Sequence, residues 1–146
     1  MSRILLLSGP SLDRLGQREP ELYGTATLDE LVTDARTVAE AHGHALDHFQ
    51  TSDEEALVRA VRDARGRYAA IVINAAHYTH TSPALADALG SFRGVKIELH
   101  LTNPNAREQW RRVSLVAPEV DGSVAGLGRI GYGLALEAVC ERLVER

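Results

Sequence analysis

The sequence predicts an α/β domain in which a parallel sheet of five strands lies between two layers of helices. Five short apolar segments alternate with segments whose apolar residues recur at helical spacing, and this alternation is typical of a parallel sheet. The chain has 146 residues, of which 45% are hydrophobic, so it can form a sizeable core. It contains no internal repeat or linker, and we therefore expect residues 1–146 to form one domain.

The first half of the chain contains two predicted strands and a long loop. The apolar run at residues 3–8 predicts the first strand, which the following Gly-Pro pair ends. The polar segment 11–24 is long for a connection and is typical of a lid or binding loop. Thr27 and Glu30 have the spacing of a capping box, which predicts the start of a helix. The second strand is predicted at residues 45–50.

The middle of the chain repeats this pattern. Ser52 and Glu55 have the spacing of a second capping box and predict a helix that stops at Gly66. The third strand is predicted at residues 69–74. Ser82 precedes a proline, which predicts an N-cap with proline at the first helical position and a helix to about residue 89.

The last third of the chain completes the alternation. We expect a strand at 95–101, a short helix at 103–110, a strand at 123–127 and a C-terminal helix. Five strands connected in this way indicate a flavodoxin-like, doubly wound sheet with three α/β/α layers. In such sheets the ligand binds outside the carboxyl ends of the strands, here at the loops that follow the first, third and fourth strands.

Composition disfavours several classes of partner. Lys and Arg number 16 against 20 Asp and Glu, so the net charge of −4 argues against nucleic acid as a partner. The chain has neither an apolar run of about 18 residues nor a signal-peptide pattern, which argues against a membrane partner and predicts a cytoplasmic protein. The single cysteine, Cys140, offers no thiolate cluster for a metal. Lys96 is the only lysine and so the only candidate for a Schiff base.

The fourth strand carries three ionisable residues on one face. Side chains alternate along a strand, so Lys96, Glu98 and His100 lie on the same side. One interpretation is that His100 is a general acid whose tautomer and orientation are set by Glu98. The other is that this strand lies at the edge of the sheet and has a solvated polar face. The pattern leaves both open.

Histidines after the third strand suggest a second type of site. His77 and His80, together with Glu98 and His100, could in principle bind a metal ion. Their spacing matches no strong zinc pattern, and the alternative is one histidine near a helix start and one on the surface. We therefore expect no metal.

Three other segments have both a functional and a structural interpretation. Tyr23 lies in the long loop with Arg18 and is either a base or an aromatic ring that packs under the loop. The arginine-rich segment 107–112 either anchors a ligand with polar oxygens or forms a solvated helix face. Residues 126–131 match G-x-G-x-x-G, but too few residues follow for a dinucleotide fold, which favours packing of a helix against the sheet.

Several of these motifs occur in the order found in one enzyme family. They are Gly9-Pro10, Arg18-Glu-Pro-Glu-Leu-Tyr-Gly24, Tyr78-Thr-His-Thr-Ser82, Ile97-Glu-Leu-His-Leu-Thr-Asn103, Ala106-Arg-Glu108 with Arg111, and Gly126-Leu-Gly with Gly131-Tyr132. In this combination the chain resembles the type II 3-dehydroquinate dehydratases. The resemblance implies dehydration of 3-dehydroquinate to 3-dehydroshikimate through an enolate, without a cofactor. It also implies an assembly of trimers into a dodecamer.

The resemblance further implies a catalytic role for four residues. Tyr23 would remove the proton next to the ketone, and Arg18 would help to keep the phenol ionised. His100 would protonate the departing hydroxyl group, and Glu98 would hold His100 in place. The loop at residues 11–24 would close over the substrate and exclude water.

The same resemblance implies a set of substrate-binding residues. The backbone amides of Leu101 and Thr102 would bind the substrate carboxylate. Asp87 would reach the site of a neighbouring subunit. The substrate hydroxyls would be bound by Asn74, His80 and Arg111.

Among the positions that depart from the family pattern, two are expected in the pocket. Ser11 stands where the family usually has asparagine, and His77 stands where it usually has a small residue. Both changes fall beside the expected ligand. They support an alternative in which the chain acts on a related carbocyclic β-hydroxy ketone in secondary metabolism. A non-catalytic family member is a further alternative.

Overall fold

The computed structural model describes residues 1–17 and 19–145, and its sheet confirms the predicted fold class. Five parallel strands lie in the order β2-β1-β3-β4-β5, which is the flavodoxin-like order. The direction of winding reverses between β1 and β3, so a crevice opens at their carboxyl ends. The strands are β1 (Arg3–Ser8), β2 (Ala45–Gln50), β3 (Ala70–Asn74), β4 (Val95–His100) and β5 (Gly122–Ala125).

The helices of the described residues connect these strands. They are α1 (Pro20–Tyr23), α2 (Leu28–Ala41), α3 (Glu54–Asp63), α4 (Tyr78–Thr81), α5 (Pro83–Ser91) and α6 (Ile130–Val144). Short 3₁₀ turns lie at Leu12–Arg14, Pro104–Ala106, Gln109–Arg112 and Ala117–Glu119. None of the helices in the described ranges combines the length and apolar composition that crossing a bilayer requires.

The sheet is covered on both faces. Helices α2 and α6 pack on the face that holds Ile4 and Leu6 of β1, and α3 and α5 pack on the face that holds Leu5 and Leu7. Because both faces of β1 are buried, this strand is an uninterrupted apolar run rather than an alternating one. In β1 and β3 the buried polar residues, Ser8 and Asn74, are the last residues of their strands, where the site forms.

Two of the predicted helix starts are confirmed. The amide of Glu30 donates to Thr27 Oγ1 at 3.2 Å, and the amide of Thr27 donates to Glu30 Oε1 at 3.0 Å, which completes the capping box. The amide of Leu85 donates to Ser82 Oγ at 3.1 Å, with proline at the first helical position. Both motifs act within one turn, so local sequence suffices to predict them.

The predicted capping box at Ser52 is wrong. Asp53 is the N-cap of α3, and its carboxylate accepts the amide of Ala56 at 3.0 Å. The amide of Asp53 itself donates to Thr51 Oγ1 at 3.1 Å, which places the turn one residue later than predicted. Glu55 then lies too early for a capping box and pairs with Arg59 along the helix.

The short helix predicted at 103–110 is also wrong. Two 3₁₀ turns replace it, because the Asn103 side chain accepts the amide of Asn105 at 3.1 Å and Arg107 is extended. In the G-x-G-x-x-G segment, Gly126 and Gly128 form a left-handed turn, whereas Gly131 is buried in α6 beside Leu99 of β4 and Val124 of β5, in agreement with the predicted packing of a helix against the sheet. Gly126 has a φ of +84°, and a Cβ there would lie 3.0 Å from the Cβ of Asn103. Gly131 makes only ordinary packing contacts.

Candidate active site

A pocket opens at the carboxyl ends of β1, β3 and β4, where the fold predicts the ligand. The empty space between its lining residues, open solvent at the mouth included, is about 600 Å³. Nine of the residues predicted for the site line it: Ser11, Tyr23, Asn74, His77, His80, His100, Leu101, Thr102 and Arg111. Residues that were not predicted for the site also line it, namely Pro10, Leu12, Ala76, Pro104 and Arg107.

His100 reaches the pocket from the end of β4 and is held there by Glu98. Nε2 of His100 lies 2.9 Å from Oε2 of Glu98. Because a carboxylate can only accept hydrogen bonds, the imidazole donates its Nε2–H to Glu98. Nδ1 is then left to contact a ligand in the pocket. Strand β4 lies between β3 and β5, so the alternative of a solvated edge strand is wrong.

The Glu98 carboxylate is buried but well bonded. Its Oε2 accepts the hydroxyl of Ser114 at 3.0 Å and that of Thr79 at 3.2 Å, besides His100. Burial acts to raise the pKa of Glu98, but the bond and the charge of His100, with the two hydroxyls, outweigh it and hold the pKa below its ordinary value. Glu98 is therefore an anion in the folded chain, and its charge lies beside the His100 ring.

Asn74 enters the pocket from the end of β3 and is buried. Its Nδ2 donates to the Tyr132 hydroxyl at 3.1 Å, and its Oδ1 accepts the amide of Ala76 at 3.2 Å. These two bonds determine which end of the amide is oxygen and which is nitrogen. Since Nδ2 has two hydrogens, one of them remains available on the pocket side.

His80 is held by the loop that follows β4. Its Nδ1 lies 2.7 Å from the backbone oxygen of Val113, and its ring meets the edge of Trp110 with centroids 5.4 Å apart. Because a carbonyl only accepts, Nδ1 carries a proton and the neutral ring presents Nε2 as an acceptor. His80 can therefore accept a hydrogen bond from a ligand hydroxyl.

Tyr23 lies at the end of α1 beside an arginine that the sequence did not identify as its partner. The guanidinium carbon of Arg107 is 5.4 Å from the centre of the Tyr23 ring. Arg107 Nη1 also donates to Thr102 Oγ1 at 3.3 Å, which places its cation inside the pocket. The only signal in the sequence was the arginine-rich segment, which did not show which arginine faces the tyrosine.

Arg111 is the second cation of the pocket and has a fixed orientation. Its Nε donates to Glu108 Oε2 at 2.8 Å, and its guanidinium carbon lies 4.3 Å from the centre of the Trp110 ring. These contacts leave the Nη groups to bind a polar ligand. The interpretation of segment 107–112 as an anchor is thus consistent with where both arginines lie.

The two departures from the family pattern both lie at the pocket wall. Ser11 has a φ of +67°, a conformation that asparagine tolerates better than serine. Ala76, next to His77, has a φ of +52°, so this turn is also left-handed. His77 is exposed, and its ring centroid lies 4.7 Å from that of Tyr78.

Two predicted residues that the structure describes do not line the pocket, and a third cannot be placed. Glu98 lies behind His100 and acts through it. Asp87 is exposed on α5. Arg18 lies outside the described residues.

The sequence also suggested two other chemistries, a Schiff base at Lys96 and a metal site, which can be compared with the structure. Lys96 lies near the start of β4, whereas His100 is the last residue of the same strand. The Nζ of Lys96 donates to the backbone oxygen of Leu89 at 2.8 Å. It is thus not placed for a Schiff base in this pocket. Over residues 1–17 and 19–145, no three histidine, cysteine, aspartate or glutamate side chains are arranged to hold a metal ion.

Comparison with known proteins gives consistent matches. Residues 2–140 match the family described as Dehydroquinase class II. A protein of Agrobacterium fabrum named 3-dehydroquinate dehydratase 2 is 46% identical over 136 residues, which cover 93% of this chain and 92% of that protein. A protein of Penicillium rubens named catabolic 3-dehydroquinase is 44% identical over 143 residues, 98% of this chain and 92% of the other. The crystal structure of the type II dehydroquinase from Propionibacterium acnes is similar, with a TM-score of 0.92, 39% identity and 97% of each chain covered.

Proposed function

The chain belongs to the class II dehydroquinase family, and from that premise we propose how its pocket dehydrates 3-dehydroquinate. The enzyme is a hydro-lyase, and its product is 3-dehydroshikimate. One observation supports the assignment of roles most directly. A phenol, Tyr23, and an imidazole paired with a buried carboxylate, His100, come from different elements and line the same pocket.

Tyr23 is the base of the proposed mechanism. Its phenolate removes the proton from the carbon next to the substrate ketone, which forms an enolate. Arg107 stands over the ring and places a positive charge beside the base, with its guanidinium carbon 5.4 Å from the ring centre. Arg18, which the family resemblance pairs with this tyrosine, stays a predicted contributor.

His100 is the acid. The imidazolium transfers a proton from Nδ1 to the hydroxyl at the β-carbon, and the enolate collapses as water leaves and the double bond forms. Glu98 holds Nε2 and keeps the ring oriented through both steps. Because base and acid lie on different elements, they can act on opposite faces of the ring, as an anti elimination requires.

The remaining pocket groups bind substrate. We assign the carboxylate to the amides of Leu101 and Thr102, and the hydroxyls to Asn74, His80 and Arg111. The free Nδ2 hydrogen of Asn74 and the acceptor Nε2 of His80 support this assignment. Ser11 lies where the enolate oxygen is expected, and the loop at residues 11–24 is proposed to close over it.

The assembly is proposed to be a dodecamer built of trimers. Asp87 is exposed on α5, so it is free to approach a neighbouring subunit's pocket, as the family resemblance implies. Light scattering after size exclusion should give about 12 times the mass of the 15.9 kDa chain. A monomer that is fully active would contradict this proposal.

Two metabolic roles are proposed for the enzyme. Relatives are named 3-dehydroquinate dehydratase or catabolic 3-dehydroquinase, and we propose that the chain serves either aromatic biosynthesis or the use of quinate. We place it in the cytoplasm, where a buried free thiol such as Cys140 stays reduced. Growth of a deletion strain without aromatic amino acids, compared with growth on quinate, distinguishes the two roles.

An absorbance assay for the conjugated enone tests the function. The purified protein should convert 3-dehydroquinate, and Tyr23→Phe and His100→Ala should each lower kcat by about 100- to 10,000-fold. Arg112→Ala is the control, since Arg112 is exposed on the same 3₁₀ turn as Arg111 and does not line the pocket. Undetectable turnover by folded wild-type protein would overturn the proposal.

A further inference from the structure

A row of polar side chains crosses the sheet behind Asn74. His48 lies on β2, Ser8 ends β1, Tyr132 lies on α6 and Asn74 ends β3. The strand order places β2, β1 and β3 side by side, and Ser8 is the register partner of Asn74. All four side chains lie on the face covered by α2 and α6, where apolar packing is otherwise continuous. Polar groups that lie together in such a core are expected to form hydrogen bonds with one another.

The contacts along this row are short. His48 Nε2 lies 2.9 Å from Ser8 Oγ, and Asn74 Nδ2 donates to the Tyr132 hydroxyl at 3.1 Å. Ser8 is the second polar neighbour of that hydroxyl. Ser8 and Tyr132 are fully buried, and burial raises the pKa of Tyr132 to about 12, so this residue remains a neutral phenol. The row therefore connects the half-buried His48 to the wall of the active site.

The direction of each hydrogen bond follows from one end of the row. The amide of Ala76 donates to Asn74 Oδ1, so Nδ2 must point to Tyr132. The phenol oxygen accepts that N–H, and Ser8 is the polar neighbour to which its own proton can be donated. The hydroxyl of Ser8 can in turn donate to Nε2 of His48 when the ring is neutral and carries its proton on Nδ1.

We propose that His48 and Ser8 are positioning residues for Asn74, acting through Tyr132, and that protonation of His48 weakens substrate binding. An imidazolium can only donate, so the proton of Ser8 would lose its acceptor at Nε2. If that proton turns to the phenol oxygen, the phenol proton of Tyr132 is directed towards the Asn74 N–H. Two donors would then face each other, and the amide that binds substrate would lose its fixed orientation. The proposal rests on the proposed function, because it deepens the role of Asn74 in that pocket.

The surroundings of His48 favour the neutral ring. Burial lowers the pKa of His48, the positive charge of Arg36 on α2 lowers it further, and Asp29 on α2 opposes both. From β1 the polar group in contact with the ring is Ser8, whose other polar neighbour is Tyr132 of α6. The ring is thus expected to become protonated only below its ordinary pKa of 6.5, on the acidic side of neutral.

Steady-state kinetics with 3-dehydroquinate test the positioning role. Ser8→Ala and His48→Val should raise KM by about 2- to 10-fold at pH 7.5, with kcat changed by less than about 2-fold. His48→Gln keeps an acceptor for Ser8 but does not titrate, so its KM should match the wild type at pH 7.5. At pH 5.5 the wild-type KM should rise above that of His48→Gln. His42→Gln, at an exposed histidine that contacts Glu137, is the control and should follow the wild type at each pH.

A second measurement does not depend on activity. The chain has three asparagines, at 74, 103 and 105, so selective ¹⁵N-asparagine labelling gives few side-chain signals for magic-angle-spinning NMR. The Asn74 side-chain nitrogen should shift between pH 7.5 and 5.5 in the wild type and not in His48→Gln. This comparison needs no disruptive variant.

The two measurements separate failure of this proposal from failure of the proposed function. If the wild type does not turn over 3-dehydroquinate, the function is wrong, and the NMR comparison still decides whether His48 controls Asn74. If the wild type is active, unchanged KM in Ser8→Ala and His48→Val overturns the proposal. An Asn74 signal that follows pH equally in the wild type and His48→Gln also overturns it.

Discussion

Nε2 of His100 lies 2.9 Å from Oε2 of Glu98 near the end of β4, with the Glu98 side chain buried and the His100 side chain partly exposed to the pocket. The pair resolves an ambiguity of the sequence, because a buried carboxylate in a central strand needs partners and here it has three. As a result, Nε2 of the His100 ring is bound to Glu98, and Nδ1 is the nitrogen left for proton transfer to the substrate. The first two predictions test this relationship.

Glu98→Gln should lower kcat by about 10- to 100-fold, with a smaller effect on KM. The amide is close in size to the carboxylate but carries no charge, so it stabilises the imidazolium of His100 less. Thr79→Ser is the matched control, since it keeps a hydroxyl near Glu98 and should retain most activity. Wild-type kcat in Glu98→Gln would show that the carboxylate is not needed for the acid step.

The stability difference between wild type and Glu98→Gln should depend on pH. The pKa of Glu98 is held below its ordinary value of 4.5 in the folded chain, so folding favours the carboxylate. Its contribution to the free energy of unfolding is full above 4.5 and is lost as the pH falls through the lower folded value. Urea denaturation of both proteins between pH 7 and pH 3 should show the difference shrinking only in the acidic range. A constant difference would contradict this prediction.

Arg107 should matter for the base although it is not adjacent to it in sequence. Arg107→Ala removes the cation over the Tyr23 ring and the bond to Thr102, and we expect kcat to fall by about 3- to 30-fold. Arg107→Lys keeps the charge without the planar group and should lose less. Equal losses in the two variants would indicate that the planar guanidinium itself carries the effect.

Ser11→Asn combined with His77→Gly tests whether the pocket is adapted to another substrate. Asparagine suits the left-handed φ of +67° at this position and offers an amide to the enolate side, so kcat/KM for 3-dehydroquinate should rise, by up to about 100-fold. Ser11→Ala is the matched variant and should give no gain. If the double variant also shows no gain, the hypothesis of a related β-hydroxy ketone substrate loses its support.

The first turn of α3 provides a stability prediction. Asp53→Ala should lower the free energy of unfolding by about 1 kcal/mol, because the amide of Ala56 loses its acceptor. Ser52→Ala should change it by less than about 0.5 kcal/mol, since the Ser52 side chain is not the cap. Urea midpoints measure both, and a larger effect at Ser52 would restore the original capping-box interpretation.

Local features of the chain were well predicted from sequence. The strand at Arg3–Ser8 and the capping box of Thr27 and Glu30 depend on residues within a few positions of each other, so their patterns can be read directly. The shift from Ser52 to Asp53 shows the limit of this approach. Two neighbouring residues could both cap the helix, and a contact one residue upstream, at Thr51, decided between them.

Most residues predicted for the site line one pocket, whereas the contacts between side chains within the pocket were not predicted. Parallel strands bring their carboxyl ends to one edge, so loops after β1, β3 and β4 had to meet. That Arg107 rather than another arginine faces Tyr23 depends on two 3₁₀ turns that replaced the expected helix. Such turns are set by side-chain bonds, as at Asn103, and not by periodicity.

The α/β class, the parallel sheet and the types of residue that line the pocket could all be predicted from the amino-acid sequence. They depend on hydrophobic periodicity and on motifs short enough to act locally. Only the tertiary structure decided that β4 is interior, that Glu98 is a buried anion, and that His48 contacts Ser8 across two strands. The physical reason is that burial and hydrogen-bond direction depend on neighbours distant in the chain, which strand order brings together.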